Sequence, residues 1–203
     1  MGGTFDPIHV GHLAVAEEAR EVLGLATILF VPAGIPPHKL GGAAVSAEDR
    51  VAMVSLAIRG NKAFELSRVD VDRAGPSYTA DTIALLREER RTAGHDPDVT
   101  VIMSTETLAG LPSWREPRRL VGQCRVAVVP REGHDGPTRA WLTEHFQGLE
   151  DHFDLLAAPR LGISSTAIRE RVAAGRSIRY LVPEAVERHI ADHHLYARAN
   201  RTG

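Results

Sequence analysis

Residues 2–12 read Gly2-Gly3-Thr4-Phe5-Asp6-Pro7-Ile8-His9-Val10-Gly11-His12, and an amphipathic run through Leu13 to Leu23 follows. Two adjacent glycines let a backbone turn tightly and approach a ligand, Asp6-Pro7 fixes a second turn, and the run then opens a helix. An apolar segment of strand length, Thr27 to Val31, comes next. The alternation then repeats: Phe64 to Val71, Val99 to Met103, Arg125 to Val129 and Phe153 to Leu156 have strand length, and segments of helical periodicity separate them. Parallel neighbours need crossover connections and are buried on both faces, so this pattern predicts an α/β fold built on a doubly wound parallel sheet.

Helix starts are marked in three places. Ser46 precedes Asp49 at capping-box spacing, Ser77 or Thr79 precedes Asp81 and an apolar-periodic run, and Pro183 suits the first turn of a helix through Glu184 to His194. Pro32 to Val45 reads as a long Gly/Pro-rich loop, and Gly133 to Pro137 as a shorter one. Trp141, in a helical run, is expected in the core.

At 203 residues, 43% of them hydrophobic and 25% charged, the chain is long enough for one compact domain, residues 1–203, and too well balanced for a disordered tail or a rod. Within it, residues 1–160 are expected to form the sheet-bearing core and 161–199 the C-terminal helices. A net charge of −2 asks for no polymeric nucleic acid. The lone Cys124 excludes an internal disulfide, and no apolar run approaches the roughly 18 residues that span a bilayer. Without an Arg/Lys-led leader at Met1, a cytoplasmic protein is expected, no membrane partner is implied, and a homo-oligomer is left open. Only Met1 precedes the glycine pair, so the strand that should feed this turn is nearly absent. The expectation is that the natural chain begins upstream with a short Val/Ile/Leu-rich strand.

Two constellations carry chemistry. His9 and His12 stand three apart at a helix entrance, where exposed N–H groups favour anions, so the opening run is shaped for phosphate. The second is Gly162-Ile163-Ser164-Ser165-Thr166-Ala167-Ile168-Arg169: Ser164 or Ser165 can cap a helix, and Arg169 is close enough to reach an anion held at its start. Taken alone, each motif also fits a plain turn or a plain cap.

Together, His9-Val10-Gly11-His12 and Ile163-Ser164-Ser165-Thr166-Ala167-Ile168-Arg169 resemble the two hallmark motifs of the Rossmann-like nucleotidyltransferase superfamily. The Gly-Gly-Thr-Phe-Asp-Pro-Ile-His run resembles, more narrowly, the bacterial nicotinate mononucleotide adenylyltransferases. Three further matches extend the likeness over nearly the whole chain: Pro36-Pro37-His38-Lys39, Gly75-Pro76-Ser77-Tyr78-Thr79-Ala80-Asp81-Thr82, and Leu111-Pro112-Ser113-Trp114-Arg115-Glu116-Pro117.

The resemblance implies transfer of AMP from ATP to nicotinate mononucleotide, giving the dinucleotide and pyrophosphate. It implies His9, His12, Lys39 and Arg169 as catalytic residues, and Gly3, Thr4, Phe5, Ser164, Ser165 and Thr166 around ATP and its phosphates. Thr79, Trp114, Glu106 and Arg131 would face the pyridine nucleotide, and Mg²⁺ would be held mainly by substrate phosphates, with no metal-ligand set in the protein. Residue chemistry fits independently. Lys39 is one of two lysines among 24 Lys+Arg residues and offers a point charge for phosphate. A positively charged pyridine ring gains stacking and cation–π energy on the Trp114 indole, and the Thr79 hydroxyl suits a small carboxylate.

Where the family shows Gly-x-Asp, this chain has Ser104-Thr105-Glu106, so a Cβ is expected to crowd a backbone that approaches ligand. Rival readings are a sister enzyme acting on another phosphate acceptor such as phosphopantetheine, a non-catalytic nucleotide-binding module, and a hydrolytic zinc site on His9 and His12. The last lacks a third ligand and a carboxylate base.

Overall fold

The computed structural model describes residues 1–36, 43–94, 98–157 and 161–197. In chain order the elements are β1 (Gly2–Gly3), α1 (Val10–Val22), β2 (Ile28–Pro32), α2 (Ala47–Ile58), β3 (Phe64–Leu66) and α3 (Thr79–Thr92). Then come β4 (Thr100–Ser104), α4 (Thr105–Gly110), α5 (Pro117–Gln123), β5 (Arg125–Val129), α6 (Arg139–Phe146), β6 (Phe153–Leu155), α7 (Ser165–Ala173) and α8 (Glu184–Asp192).

Every ladder is parallel, as the crossover pattern requires. The strands form two triplets, β1-β2-β3 and β4-β5-β6, and β1 runs alongside β4. Read across both triplets the spatial order is 3-2-1-4-5-6, with the reversal of winding at the β1/β4 seam. Ligands bind at such a seam because loops from both halves diverge there.

The short first strand is real and central: Gly2 and Gly3 pair with Val31 and Pro32. Small residues bring α1 close to the sheet, since Gly11, Ala16 and Ala19 form its buried face. Ser46 caps α2 by accepting from the Asp49 amide at 3.0 Å, as its sequence predicts.

Several boundaries differ from expectation. The expected strand from Phe64 to Val71 ends at Leu66, because Ser67 onward turns to bring Asp70 inward, where it accepts from Arg73 and Thr82. Tyr78, and neither Ser77 nor Thr79, is the N-cap residue of α3. Pro183 caps α8, which stops at Asp192 before His194, a residue with φ of +52°. Of the expected loop Pro32 to Val45, residues 37–42 lie outside the described residues.

Two apolar cores result. The first gathers Ile8, Phe30, Met53 and Val54 with Ile168, Val186 and Ile190 of the C-terminal helices, and with Ile102, Ala127 and Val129 from the second triplet. The second gathers Leu108, Leu111, Leu120, Val126 and Phe146. Trp141 is only half buried: it packs against this core and stacks on His145 at 4.5 Å.

Candidate active site

A cavity of about 430 Å³ opens at the β1/β4 seam, within the size range of small-molecule sites. It brings together Gly3, Thr4, His9 and His12 from the start of the chain, Ser77 and Thr79 at the head of α3, Ser104 at the end of β4, Trp114, and Arg131.

His9 is the N-cap residue of α1, and the two imidazoles stack at 3.6 Å between ring centroids. The His9 amide donates to His12 Nδ1 at 3.2 Å. A nitrogen that accepts carries no proton, so neutral His12 bears its proton on Nε2. Phe5 meets the His12 ring edge-on at 5.2 Å; it is buried behind the histidines and does not itself line the cavity. Gly11 permits this arrangement, because a Cβ there would lie 3.1 Å from His9 Nδ1.

Burial, then the nearby Arg131 charge, lowers the His9 pKa to about 4. His12 is held well below its ordinary value, by burial first and then by His9 and Arg131. Both rings are therefore neutral near pH 7, and His9 Nδ1 is a buried nitrogen with no hydrogen-bond partner. A neutral stacked pair suits hydrogen bonding to an incoming anion. Among the described residues no group of three or more His, Cys, Asp or Glu could hold a metal ion.

The second motif stands behind the first. Ser164 caps α7 by accepting from the Ala167 amide at 3.2 Å. The Ser165 hydroxyl donates to the Pro7 carbonyl at 2.9 Å, and Arg169 donates to the Asp6 carbonyl at 2.8 Å and to Thr166 Oγ1 at 3.3 Å. In this structure Ser165 and Arg169 tie the first loop to α7, Ser164 and Thr166 bond within α7, and of the motif it is Ile163 that lines the cavity. The N-termini of α1 and α7 thus flank one loop, and their dipoles add positive potential there.

On the far side, Thr79 and Trp114 both line the cavity, half buried. Arg131 lines it too, with Nε 3.6 Å from Glu106 Oε2, whereas Glu106 itself is exposed outside it. Ser104 lines the cavity with a φ of −81°, ordinary for any residue, and its hydroxyl caps α4 by accepting from the Thr107 amide at 3.1 Å. Lys39 lies outside the described residues.

Three residues that sequence reasoning passed over support the site. Arg50, on the buried face of α2, donates to the carbonyls of Thr4 at 2.9 Å and Gly34 at 3.2 Å. Asp70 lines the cavity while accepting from Thr82 at 2.7 Å and Arg73 at 2.9 Å. Tyr196 donates to Asp6 Oδ1 at 2.8 Å, and burial followed by the Asp6 charge pushes its phenol up. The available signal was a charge inside an apolar stripe: Arg50 stands three and four residues before the buried Met53 and Val54, and Asp70 stands between two valines.

The chain is similar in sequence and in fold to known proteins. The cytidylyltransferase-like family model matches residues 1–171. A probable nicotinate-nucleotide adenylyltransferase from Roseiflexus sp. (strain RS-1) is 45% identical over 196 residues, covering 97% of this chain and 96% of the relative. One from Symbiobacterium thermophilum is 40% identical, covering 100% of this chain and 96% of the relative. Among solved structures, the Plasmodium falciparum nicotinic acid mononucleotide adenylyltransferase complexed with NaAD superposes with a TM-score of 0.76 at 17% identity, over 96% of this chain and 94% of that one.

Proposed function

The chain belongs to the cytidylyltransferase-like family, and from that membership we propose that it transfers the adenylyl group of ATP to the 5′-phosphate of nicotinate mononucleotide, forming nicotinate adenine dinucleotide and releasing pyrophosphate. The observation that carries this reading is one cavity holding the His9/His12 pair together with Thr79 and Trp114. An adenylyl donor and a pyridine nucleotide need those two kinds of surface side by side.

The nucleophile is already a phosphate anion, so no covalent enzyme intermediate is needed. An oxygen of the acceptor phosphate attacks the α-phosphorus, and the bond to the bridging oxygen of pyrophosphate breaks with its electron pair. Alignment of the two polyphosphates and neutralisation of charge on the leaving group carry the catalysis. We assign His12 Nε2–H, His9 and Lys39 to the phosphates, with the backbone of Gly3 and Thr4 beside them. Arg169 holds their loop through the Asp6 carbonyl, and we assign it to the same phosphate charge. Trp114 stacks on the pyridine ring, Thr79 binds its carboxylate, and Arg131 offers a cation at the junction.

Mg²⁺ fits this reading as an ion brought on the polyphosphate and completed by water: of the two carboxylates in the lining, Asp70 is committed to Arg73 and Thr82, and Glu132 alone makes no ligand cage. When bound it neutralises phosphate charge. A cytoplasmic setting and action of residues 1–203 as one unit belong to the same proposal, and no helix among the described residues is long and apolar enough to cross a membrane.

The test is pyrophosphate release from ATP with nicotinate mononucleotide, its amide counterpart and phosphopantetheine as acceptors. Fastest release with the nicotinate acceptor is expected. Faster release with phosphopantetheine, or none with any acceptor, overturns the assignment.

A further inference from the structure

Arg50 is 1% exposed, and its guanidinium is spent on two main-chain carbonyls. Burying a guanidinium is costly unless it is compensated, and an apolar side chain of similar volume would fill the space without that cost. Nor is Arg50 committed to a carboxylate: Asp6, the acid whose charge bears on it, has its oxygens on the Ala44 amide at 2.7 Å and the Tyr196 hydroxyl at 2.8 Å. What Arg50 does is geometric.

Its two acceptors belong to two different loops at the cavity, which Thr4 of the one and Ala33 of the other line. Thr4 belongs to the loop after β1, which leads to His9 and His12. Gly34 belongs to the loop after β2, and its amide donates at 2.9 Å to the Ser77 hydroxyl, two residues before Thr79. Gly34 is wedged in place, because a Cβ there would stand 2.1 Å from the Asp70 carbonyl oxygen. A planar guanidinium has two Nη donors at fixed spacing, so it acts as a rigid spacer; one ammonium on a flexible stem cannot. We propose that Arg50 is a positioning residue that sets the separation between the donor-side loop at Thr4 and the acceptor-side segment at Gly34 and Ser77, and so keeps the two bound nucleotides in line. This rests on the proposed adenylyl transfer.

The test compares Arg50→Lys and Arg50→Met with the wild-type chain, by calorimetry with ATP, nicotinate mononucleotide and nicotinate adenine dinucleotide and by steady-state kinetics. A mononucleotide occupies one side, whereas the dinucleotide must span both. For Arg50→Lys, which keeps the positive charge beside Asp6, the expected result is a dinucleotide affinity and a kcat each lower by about tenfold or more, with each KM within about threefold. Dinucleotide affinity and kcat equal to wild type, or loss confined to one mononucleotide, overturn the proposal, as does full activity in Arg50→Met. Should neither variant fold, Ser77→Ala releases Gly34 from its other side, and unchanged dinucleotide affinity there overturns it equally. If the wild-type chain shows no adenylyl transfer, the functional reading fails by itself. Amide exchange then judges the spacer without substrate: faster exchange in Arg50→Lys at both Thr4–Asp6 and Gly34–Ile35 is expected, and unchanged exchange at either rejects it.

Discussion

His9 and His12 stack as neutral rings in the cavity proposed to take polyphosphate, and that combination sets a proton balance for binding. An anion placed beside them offsets the desolvation that holds His9 at about 4, so the pKa of the pair rises when ATP arrives. Protons are therefore taken up on binding at a pH between the free value and the raised one. Titration calorimetry in two buffers of different ionisation enthalpy reads the number directly, and His12→Ala should diminish it; an uptake of zero in the wild-type chain would contradict the assignment of the pair to phosphate. In turnover, His12→Ala and Arg169→Ala should each cost roughly a hundredfold or more, since such charge stabilisation is commonly worth about 3 kcal/mol. A variant that circular dichroism shows folded, yet turns over at the wild-type rate, removes that residue from the phosphate site. Trp114→Ala should raise KM for the pyridine nucleotide and spare that for ATP, because stacking on the ring is a contact the donor does not share. Equal damage to both would mark Trp114 as packing.

At the scale of elements, the decisive joints are places where backbone meets backbone. Gly34→Ala forces a Cβ against the Asp70 carbonyl, so the loop after β2 must move. A loss of about 2 kcal/mol or more in denaturant melts is expected, with dinucleotide binding weakened in step. Gly60→Ala, at a φ of +95° but with nothing within 4 Å of its Cβ, separates backbone strain from collision. Such joints also explain what could be read in advance. Strands β2, β4 and β5 were legible because a buried parallel strand is an almost unbroken apolar run, and the caps Ser46 and Ser164 because a cap is a local event. The end of β3 was not, since Val69 and Val71 continue a strand-like pattern while Asp70 turns inward to Thr82 on α3. Thr79 and Trp114 line the cavity. The supporting roles of Ser165 and Arg169 toward the first loop depend on partners more than 150 residues away, which local pattern does not contain.

For the molecule as a whole, the buried histidines oppose acid. His9 has a folded pKa of about 4 against an ordinary 6.5, so between those values the unfolded chain binds a proton that the folded chain refuses. Its contribution is full above about pH 6.5, declines as pH falls through that window, and by about pH 4 has cost on the order of 3 kcal/mol. Thermal melts at pH 7.5 and pH 5 should show this decline, and His9→Asn, which cannot take up the proton, should flatten it. An identical pH slope in the variant would assign acid sensitivity elsewhere. The division into two cores has a temporal side as well. Residues 80–153 supply the whole buried set of the second core, an uninterrupted stretch of chain. The first core and the loop at Asp6 need Ile168, Arg169, Ile190 and Tyr196, and the last of these lies 190 residues downstream of its partner. A ribosome adding roughly 5–20 residues per second leaves that opening loop without its C-terminal fastenings for roughly ten to forty seconds. The middle of the chain can close first, and the loop at Asp6, synthesised earliest, is among the last parts to take its final shape.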